Sequence, residues 1–552
     1  MMFKLFFLEI LFTLFSCVVL AYISIATAIG PWIAPTLILL GHFFLWQRKK
    51  NSEGIKTVIL AQTAGSLGGI ISVGIGFTLP MLYFLDAKQF NAMISNPVHF
   101  AITLGLITIS AGALGTWLAR YFVTPLLEDE NLKFPISHII AETAQQTETG
   151  HFHKLAKGIF GSWATIFLRD GFNFGNIFSV PALIGQRQFF IGGSMLPKIF
   201  PVSISPTMWA IGWVAGIGMA LPLFMGMLSK YLVLYPLNHH ASWLGLSLFP
   251  TMDKIKFSSA FCSGIVLFEV LFGISRQLIK SGSWNLKTHR LSLKEQIQSF
   301  FKTLELKKDN CIETIEPWLA LGLTVITLSF LSVPWYIIIF IPFACAAATH
   351  QICYFGARTG LAPFGRFITL FVMIPIALTI SFAPMQMTYL CTFTAVCLAA
   401  AVNFIFQCKV GQLSSLEQKD IHLHHWIGLI LTACIVGLCF WLLFSNLKLG
   451  GVELFAHRGR ARALLLQSLG FNPIVLALGC GFGTLVKWLK LSPTMVFGGI
   501  LMPNKLTVGL FIGALASKLV RNPTEYRPFW TGIFAGESLW ISMTLLLKVL
   551  LP

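Results

Sequence analysis

The chain has 552 residues, 56% of them hydrophobic and only 11% charged, and its mean hydropathy is +0.77. These values lie far from those of a soluble domain and fit a polytopic membrane protein. The net charge of +18 has no soluble basic domain to carry it, which argues against nucleic-acid binding and for basic loops on the cytoplasmic side of a lipid bilayer. Apolar runs able to cross about 30 Å of hydrocarbon recur near 5–28, 30–46, 57–85, 98–122, 206–237, 257–279, 317–333, 335–356, 366–384, 386–407, 426–446, 472–488, 492–518 and 529–550. They predict an all-α polytopic membrane protein with about 14 transmembrane helices, in the range of about 12–16, several of them interrupted by Pro or Gly.

At the start, Lys4, an apolar run and Ala26-Thr-Ala28 have the form of a secretory signal. The apolar pattern resumes at once after Gly30-Pro31, which favours a first helix. Arg48-Lys49-Lys50 with Lys56 reads as a cytoplasmic loop. Residues 124–185 form a polar insertion with an acidic run, Glu128-Asp129-Glu130, and read either as an extramembrane lid or as hairpins buried among other helices.

Ser205-Pro-Thr-Met208 then opens a pattern that returns at Ser492-Pro-Thr-Met495, 287 positions later, with 11 of 29 positions identical. Matching residues include Gly212 and Gly499, Leu223-Phe224 and Leu510-Phe511, and Gly226 and Gly513. Phe261, Gly264, Ile265, Glu269 and Leu271 are echoed by Phe529, Gly532, Ile533, Glu537 and Leu539. A duplicated apolar unit with one carboxylate in each copy is the pattern of a transporter. The repeat divides the chain into a first half, 1–279, a basic cytoplasmic linker, 280–316, and a second half, 317–552.

Arg458, Arg460 and Arg462 also read as cytoplasmic, yet five predicted spans separate them from the linker. Five crossings put them on the opposite side, so one span near Pro334 is taken as miscounted or re-entrant. The eleven cysteines form no CxxC pair and fall mostly in apolar spans, where they act as small hydrophobes. His151-x-His153, His239-His240 and His422-x-His424-His425 lack a Cys or carboxylate at ligand spacing; no metal site and no cofactor is predicted.

Glu537, Glu269 and Glu142, in that order, are candidates for proton coupling, because a carboxylate at bilayer depth costs roughly 2.5–3.5 kcal/mol unless it is paired, protonated or hydrated. The alternative is that each pins a neighbouring helix or, for Glu142, sits in solvent. Arg358 and Lys505 are substrate-binding candidates, suited to a carboxylate, or else interfacial anchors. Ser205, Thr207, Ser492 and Thr494 either contact substrate or satisfy carbonyls freed by the adjoining proline.

Several segments, read in order, resemble the oligopeptide transporter (OPT) family, which includes peptide transporters and yellow-stripe-like carriers of metal chelates. Leu132-Lys-Phe134-Pro135 through Ala141-Glu142 is similar to the family's LPFPxGxAxAE signature. Gly65, Gly68 and Gly69 leading to Phe77-Thr-Leu-Pro80 resemble its early glycine-rich helix. Ser205-Pro206 through Gly212 and Gly216, then Arg358-Thr-Gly360, Lys409-x-Gly411 and Gly532-x-x-x-Gly536-Glu537, fall in the family's order. Ser137 replaces a family glycine, and Gln407 stands where an acid is usual. The resemblance implies secondary active, typically proton-coupled uptake of small oligopeptides or peptide-like metal chelates across the inner cell membrane, by a divergent, prokaryotic-type member. A homo-oligomer is left open. The rival reading is a polytopic membrane enzyme acting on a lipid or membrane-embedded substrate, against which stands the lack of any HExxH or GxSxG pattern.

Overall fold

The structure, a computed structural model, describes most of residues 2–170, short stretches within 172–202, most of 206–237, positions scattered between 257 and 272, and most of 311–540. In chain order the helices are α1 (Met2–Ala26), α2 (Ala34–Phe44), α3 (Ser52–Thr78), α4 (Met81–Leu85), α5 (Ala87–Ile94), α6 (Pro97–Glu128), α7 (Pro135–Gln145), α8 (Thr149–Asp170), α9 (Pro206–Ala215) and α10 (Ile217–Ser229). They continue with α11 (Cys311–Phe330), α12 (Trp335–Thr359), α13 (Phe364–Ile368), α14 (Ile374–Thr379), α15 (Pro384–Leu413), α16 (Gln418–Asn446), α17 (His457–Gln467), α18 (Pro473–Trp488), α19 (Pro493–Leu501) and α20 (Asn504–Leu519). Two short antiparallel ribbons lie between α8 and α9: Phe172–Phe174 with Phe178–Val180, and Phe189–Phe190 with Pro201–Val202. Helices prevail because hydrocarbon offers the backbone no hydrogen-bond partner, so each segment must satisfy its own.

Among the described residues six segments are long and apolar enough to cross a membrane, and four more are apolar but shorter. The chain is an all-α polytopic membrane protein. Its centre is α15, wrapped by α3, α6, α12 and α16, with α1 against α3. Close approach is set by small residues: a Cβ on Gly115 would stand 2.1 Å from the Cys397 carbonyl oxygen. Gly428 packs on Ala64 and Gly68 on Thr432, so α3 and α16 run in the same direction; Gly112 packs on Leu429 and Gly105 on Ala433, so α6 runs against them. Thr63 meets Gln407 and Ser66 meets Asn403, which makes α15 antiparallel to α3.

This register corrects the reading of Arg458, Arg460 and Arg462. Arg462 donates to the Phe77 carbonyl at the far end of α3 and the N–H of Ala456 donates to Ile25 at the far end of α1. Phe77 is 14 residues along α3 from Thr63, roughly 21 Å. The helical segments between the linker and α17 fill all five predicted spans, so no span needs to be removed. What fails is the positive-inside argument: these arginines lie on a helix wedged into the protein, where local charge does not set orientation.

Within the polar insertion, α7 packs among helices. Ser137 donates to the Phe406 carbonyl at 2.9 Å, the Phe134 and Phe406 rings meet edge to face, and Ile140 and Ala144 are buried. Helix α11 begins at Cys311, inside the stretch assigned to the linker, and Glu316 is a buried member of it. Residues 280–310 lie outside the described residues.

The duplicated elements pack on one another. A Cβ on Gly212 would stand 2.0 Å from Leu510 O, and one on Gly499 would stand 1.8 Å from Leu223 O. Adding 287 to 212 and subtracting it from 510 converts the first contact into the second. Gly226 against Val496 O and Gly513 against Trp209 O, both at 2.0 Å, are related in the same way. Phe224 and Phe511, equivalent residues, stack at 4.1 Å. An interface in which i meets j and j meets i is the mark of a two-fold axis, here internal to one chain and passing between the two phenylalanines. The first element breaks near its middle at Gly216, with φ 72°, and in the second α19 ends at Leu501 and α20 begins at Asn504. Helix α20 packs against both α9 and α10, and α10 against both α19 and α20, so the two elements interlock. The flanking segments follow: Gly479 of α18 meets Phe261 O, and Gly158 of α8 meets Phe529 O, each at 2.1 Å.

Two glycines outside these seams have no such constraint. Gly161 and Gly481 have nothing within 4 Å of an added Cβ. Their replacement by alanine is expected to leave melting in detergent unchanged or to raise stability by about 0.5–1 kcal/mol. A clear loss would show that they too are packing positions.

Candidate functional site

The interlocked pair positions several residues singled out from sequence. Glu537 is 5% exposed and its Oε1 lies 3.3 Å from the Arg169 guanidinium of α8, while Trp163 donates to the neighbouring Gly536 carbonyl at 2.9 Å. Lys505 is half-buried in the first turn of α20, beside Asn504, whose amide donates to the Tyr231 hydroxyl at 2.6 Å. The Ser492 carbonyl accepts from the N–H of Met495 and Val496, at 3.1 and 3.0 Å, and so starts α19. Glu269 and Ser205 lie outside the described residues. Glu142 falls in α7, Arg358 in α12, Thr207 in α9 and Thr494 in α19, and their side chains are likewise outside the description. By their helices Glu142 and Arg358 belong to the long-helix bundle, and Thr207, Thr494 and Lys505 to the repeats.

Inside the bundle lies a polar layer that the sequence reading passed over. Gln62, Thr63 and Ser66 of α3 face Asn403 and Gln407 of α15, and all five are buried. Gln407 donates to Ser66 at 3.1 Å, and the Ser66 hydroxyl lies 3.1 Å from Asn403 Oδ1. Among the described residues the whole Gln62 amide, Asn403 Nδ2 and His425 Nδ1 have no hydrogen-bond partner. Each such buried polar group costs about 1–3 kcal/mol, which a passing solute with amide groups would recover.

Next to this layer stands an ionisable cluster. Arg120 of α6 forms an ion pair with Glu316 of α11, whose other oxygen lies 3.1 Å from His422 Nε2 of α16. The Trp426 indole N–H donates to the same Nε2, also at 3.1 Å. One nitrogen cannot accept from Trp426 and donate to Glu316 at once. Either Nε2 carries the proton and faces a carboxylate, or Glu316 carries it and donates to Nε2. His424 pairs with Glu9 of α1, and His425 meets the Thr116 hydroxyl at 3.0 Å. The three histidines thus point to three separate partners, and no group of three or more metal-ligating side chains occurs among the described residues. Arg120 and Glu9 had a signal in the sequence, a lone charge inside an apolar span. Glu316 was hidden by its place at the edge of a polar stretch.

The second charged centre is α17. His457 and Arg462 are buried, Arg458 lies 5.5 Å from the centre of the Phe77 ring and Arg460 5.8 Å from that of Phe84. The helix touches the ends of α1 and α3, and also α4, and its His457 reaches Gly498 and the Phe497 ring of α19. It therefore bridges the bundle and the interlocked repeats.

A polytopic bundle joined to a two-fold pair of interlocked helical elements, with ionisable groups buried among apolar helices, defines a membrane transport protein. The family model described as OPT oligopeptide transporter protein matches residues 2–534, and the chain belongs to that family. It is a transporter and not an enzyme, which sets aside the rival reading. No curated protein matches the chain.

Proposed function

We propose that the protein is a proton-coupled carrier that takes up small oligopeptides or peptide-like metal chelates across the cell membrane by alternating access. The observation that carries this reading is the exchange of packing contacts between the repeats under a shift of 287 positions. A two-fold pair can tilt against its surroundings between two related arrangements around a fixed centre. The first arm of each element suits that role: α9 has 10 residues and α19 has 9, roughly 15 Å each or half the hydrocarbon thickness. The unpartnered amides of Gln62 and Asn403 offer a peptide backbone the donors and acceptors that it loses on leaving water.

Proton coupling is assigned to the Glu316–His422 pair, where one proton has two alternative holders, and to Glu537 beside Arg169. Glu269 and Glu142 remain candidates by position, with Arg358, Lys505 and the Ser-Pro-Thr hydroxyls as substrate contacts. The basic segments at 48–50 and 280–310 set the cytoplasmic side.

Uptake of a labelled pool of di- to hexapeptides into proteoliposomes, with and without an inward proton gradient, tests the reading. Accumulation is expected only with the gradient. Glu537→Gln is expected to lower accumulation at least about tenfold if the carboxylate carries a proton, the scale of one lost charge-assisted bond. Unchanged accumulation would leave Glu537 as a pin for α8. Absence of peptide uptake by the wild-type protein in either condition would remove the peptide reading.

A further inference from the structure

The geometry points to α17 as an anion site that binds the carboxylate of the transported solute. This assignment rests on the carrier reading above and names the group of the solute that is recognised. Three arginines and a histidine occur within six residues, His457 to Arg462, of a helix enclosed by α1, α3, α4 and α19. Arg462 is 5% exposed. Its Nη1 donates to the Phe77 carbonyl and, at 3.3 Å, to the Arg458 carbonyl, but its Nε has no partner among the described residues. His457 is 1% exposed and neither ring nitrogen has a partner among the described residues.

Among the described residues no carboxylate pairs with Arg460 or Arg462; the five ion pairs there all involve other groups. Among the described residues the buried Arg462 guanidinium is held only by neutral carbonyls and lacks the countercharge that burial ordinarily requires. The missing partner is an anion. Arg462 keeps Nε and Nη2 on one edge of its plane, the fork that grips a carboxylate through two parallel hydrogen bonds. Nη2 is directed at Gly365, where an added Cβ would lie 2.7 Å from it. The glycine leaves that nitrogen room which any side chain would take. Arg358-Thr-Gly360, on the chain segment leading to Gly365, had marked this region as a candidate from sequence alone. The position matters as much as the charge. Helix α17 lies between the bundle and α19, so a solute carboxylate held there touches both parts of the carrier.

The test is binding to the purified full chain in nanodiscs, followed by thermal shift and calorimetry. The probes are a di- to hexapeptide pool with free C-terminal carboxylates, the same pool amidated at the C-terminus, and citrate. The free-acid pool is expected to bind about 10- to 100-fold more tightly than the amidated one, the range for a hydrogen bond to a charged group. Arg462→Gln is expected to abolish that difference, and His457→Gln, a smaller change, to reduce it. Equal binding of the acid and amidated pools by wild type would overturn the site, whether or not the variants fold.

If no peptide binds, the peptide reading fails, and citrate decides the anion site separately. Stabilisation of wild type but not Arg462→Gln by citrate supports it, and no effect on either overturns it. Nanodiscs of phosphatidylcholine alone, compared with discs containing phosphatidylglycerol, separate a lipid source. A stabilisation that needs the anionic lipid, is lost in Arg462→Gln and is indifferent to carboxylates would assign the charge to lipid phosphate and overturn the solute assignment.

Discussion

Replacing Gly499 by leucine is expected to abolish transport while leaving the long-helix bundle folded. A Cβ there would stand 1.8 Å from Leu223 O and 3.0 Å from the Gly226 Cα, so the obstacle is main chain on both counts and no side chain can rotate away. Overpacking of a well-packed core costs typically about 1–3 kcal/mol and occasionally more, and leucine adds three further carbons in a seam of helix backbones. Gly212→Leu, the two-fold equivalent, meets Leu510 O in the same manner and should give the same loss. The double variant should cost less than the sum, because either side chain alone already parts the elements. Uptake assays and thermal unfolding, with Gly481→Ala as the neutral comparison, check this. Loss at one position and silence at the other would disprove the two-fold relation as a working unit.

The second large effect is expected at Glu316. Removing one partner of a buried ion pair costs about 3–5 kcal/mol, since the remaining charge stays uncompensated. The Arg120 side chain is 28% exposed, so solvent takes part of that load and Glu316→Gln should fall near the lower end, about 3 kcal/mol. Arg120→Gln in the same chain should restore much of the melting temperature. It should not restore the response of uptake to a proton gradient, because the carboxylate that shares a proton with His422 is still gone. Retention of gradient-driven uptake by Glu316→Gln would show that the pair is structural.

The repeat was legible because Ser-Pro-Thr-Met and the glycines that follow recur at a constant offset, and a helix pattern survives in the residues that line it. Which elements those glycines would touch was not legible. The partner of Gly212 is a carbonyl 298 positions away, and a main-chain oxygen leaves no trace in sequence. The carboxylate of Glu537 was found as an acid in an apolar run, but Arg169 sits in a polar stretch where a charge draws no notice. Arg458, Arg460 and Arg462 were misread for the converse reason. Composition measures how much charge a segment carries and not what encloses it, so a cationic helix lodged in protein looks the same as a cytoplasmic anchor. Gln62 and Asn403 are amides inside apolar spans, and Gln407 stood out only as a departure from the family pattern; neutral amides carry no charge to mark them in an apolar run.

The interlocking of the repeats also bears on how the chain is made. Helices α9 and α10 are synthesised 287 residues before α19 and α20, an interval of roughly 15–60 s at ordinary rates of translation. Until the second copy emerges, the first has a short first arm, a broken middle and a glycine face that awaits its partner. Helix α9, with 10 residues, is too short to rest in the bilayer as a stable helix of its own. The interlock therefore forms only once α19 and α20 have been made, and these late helices must thread between early ones.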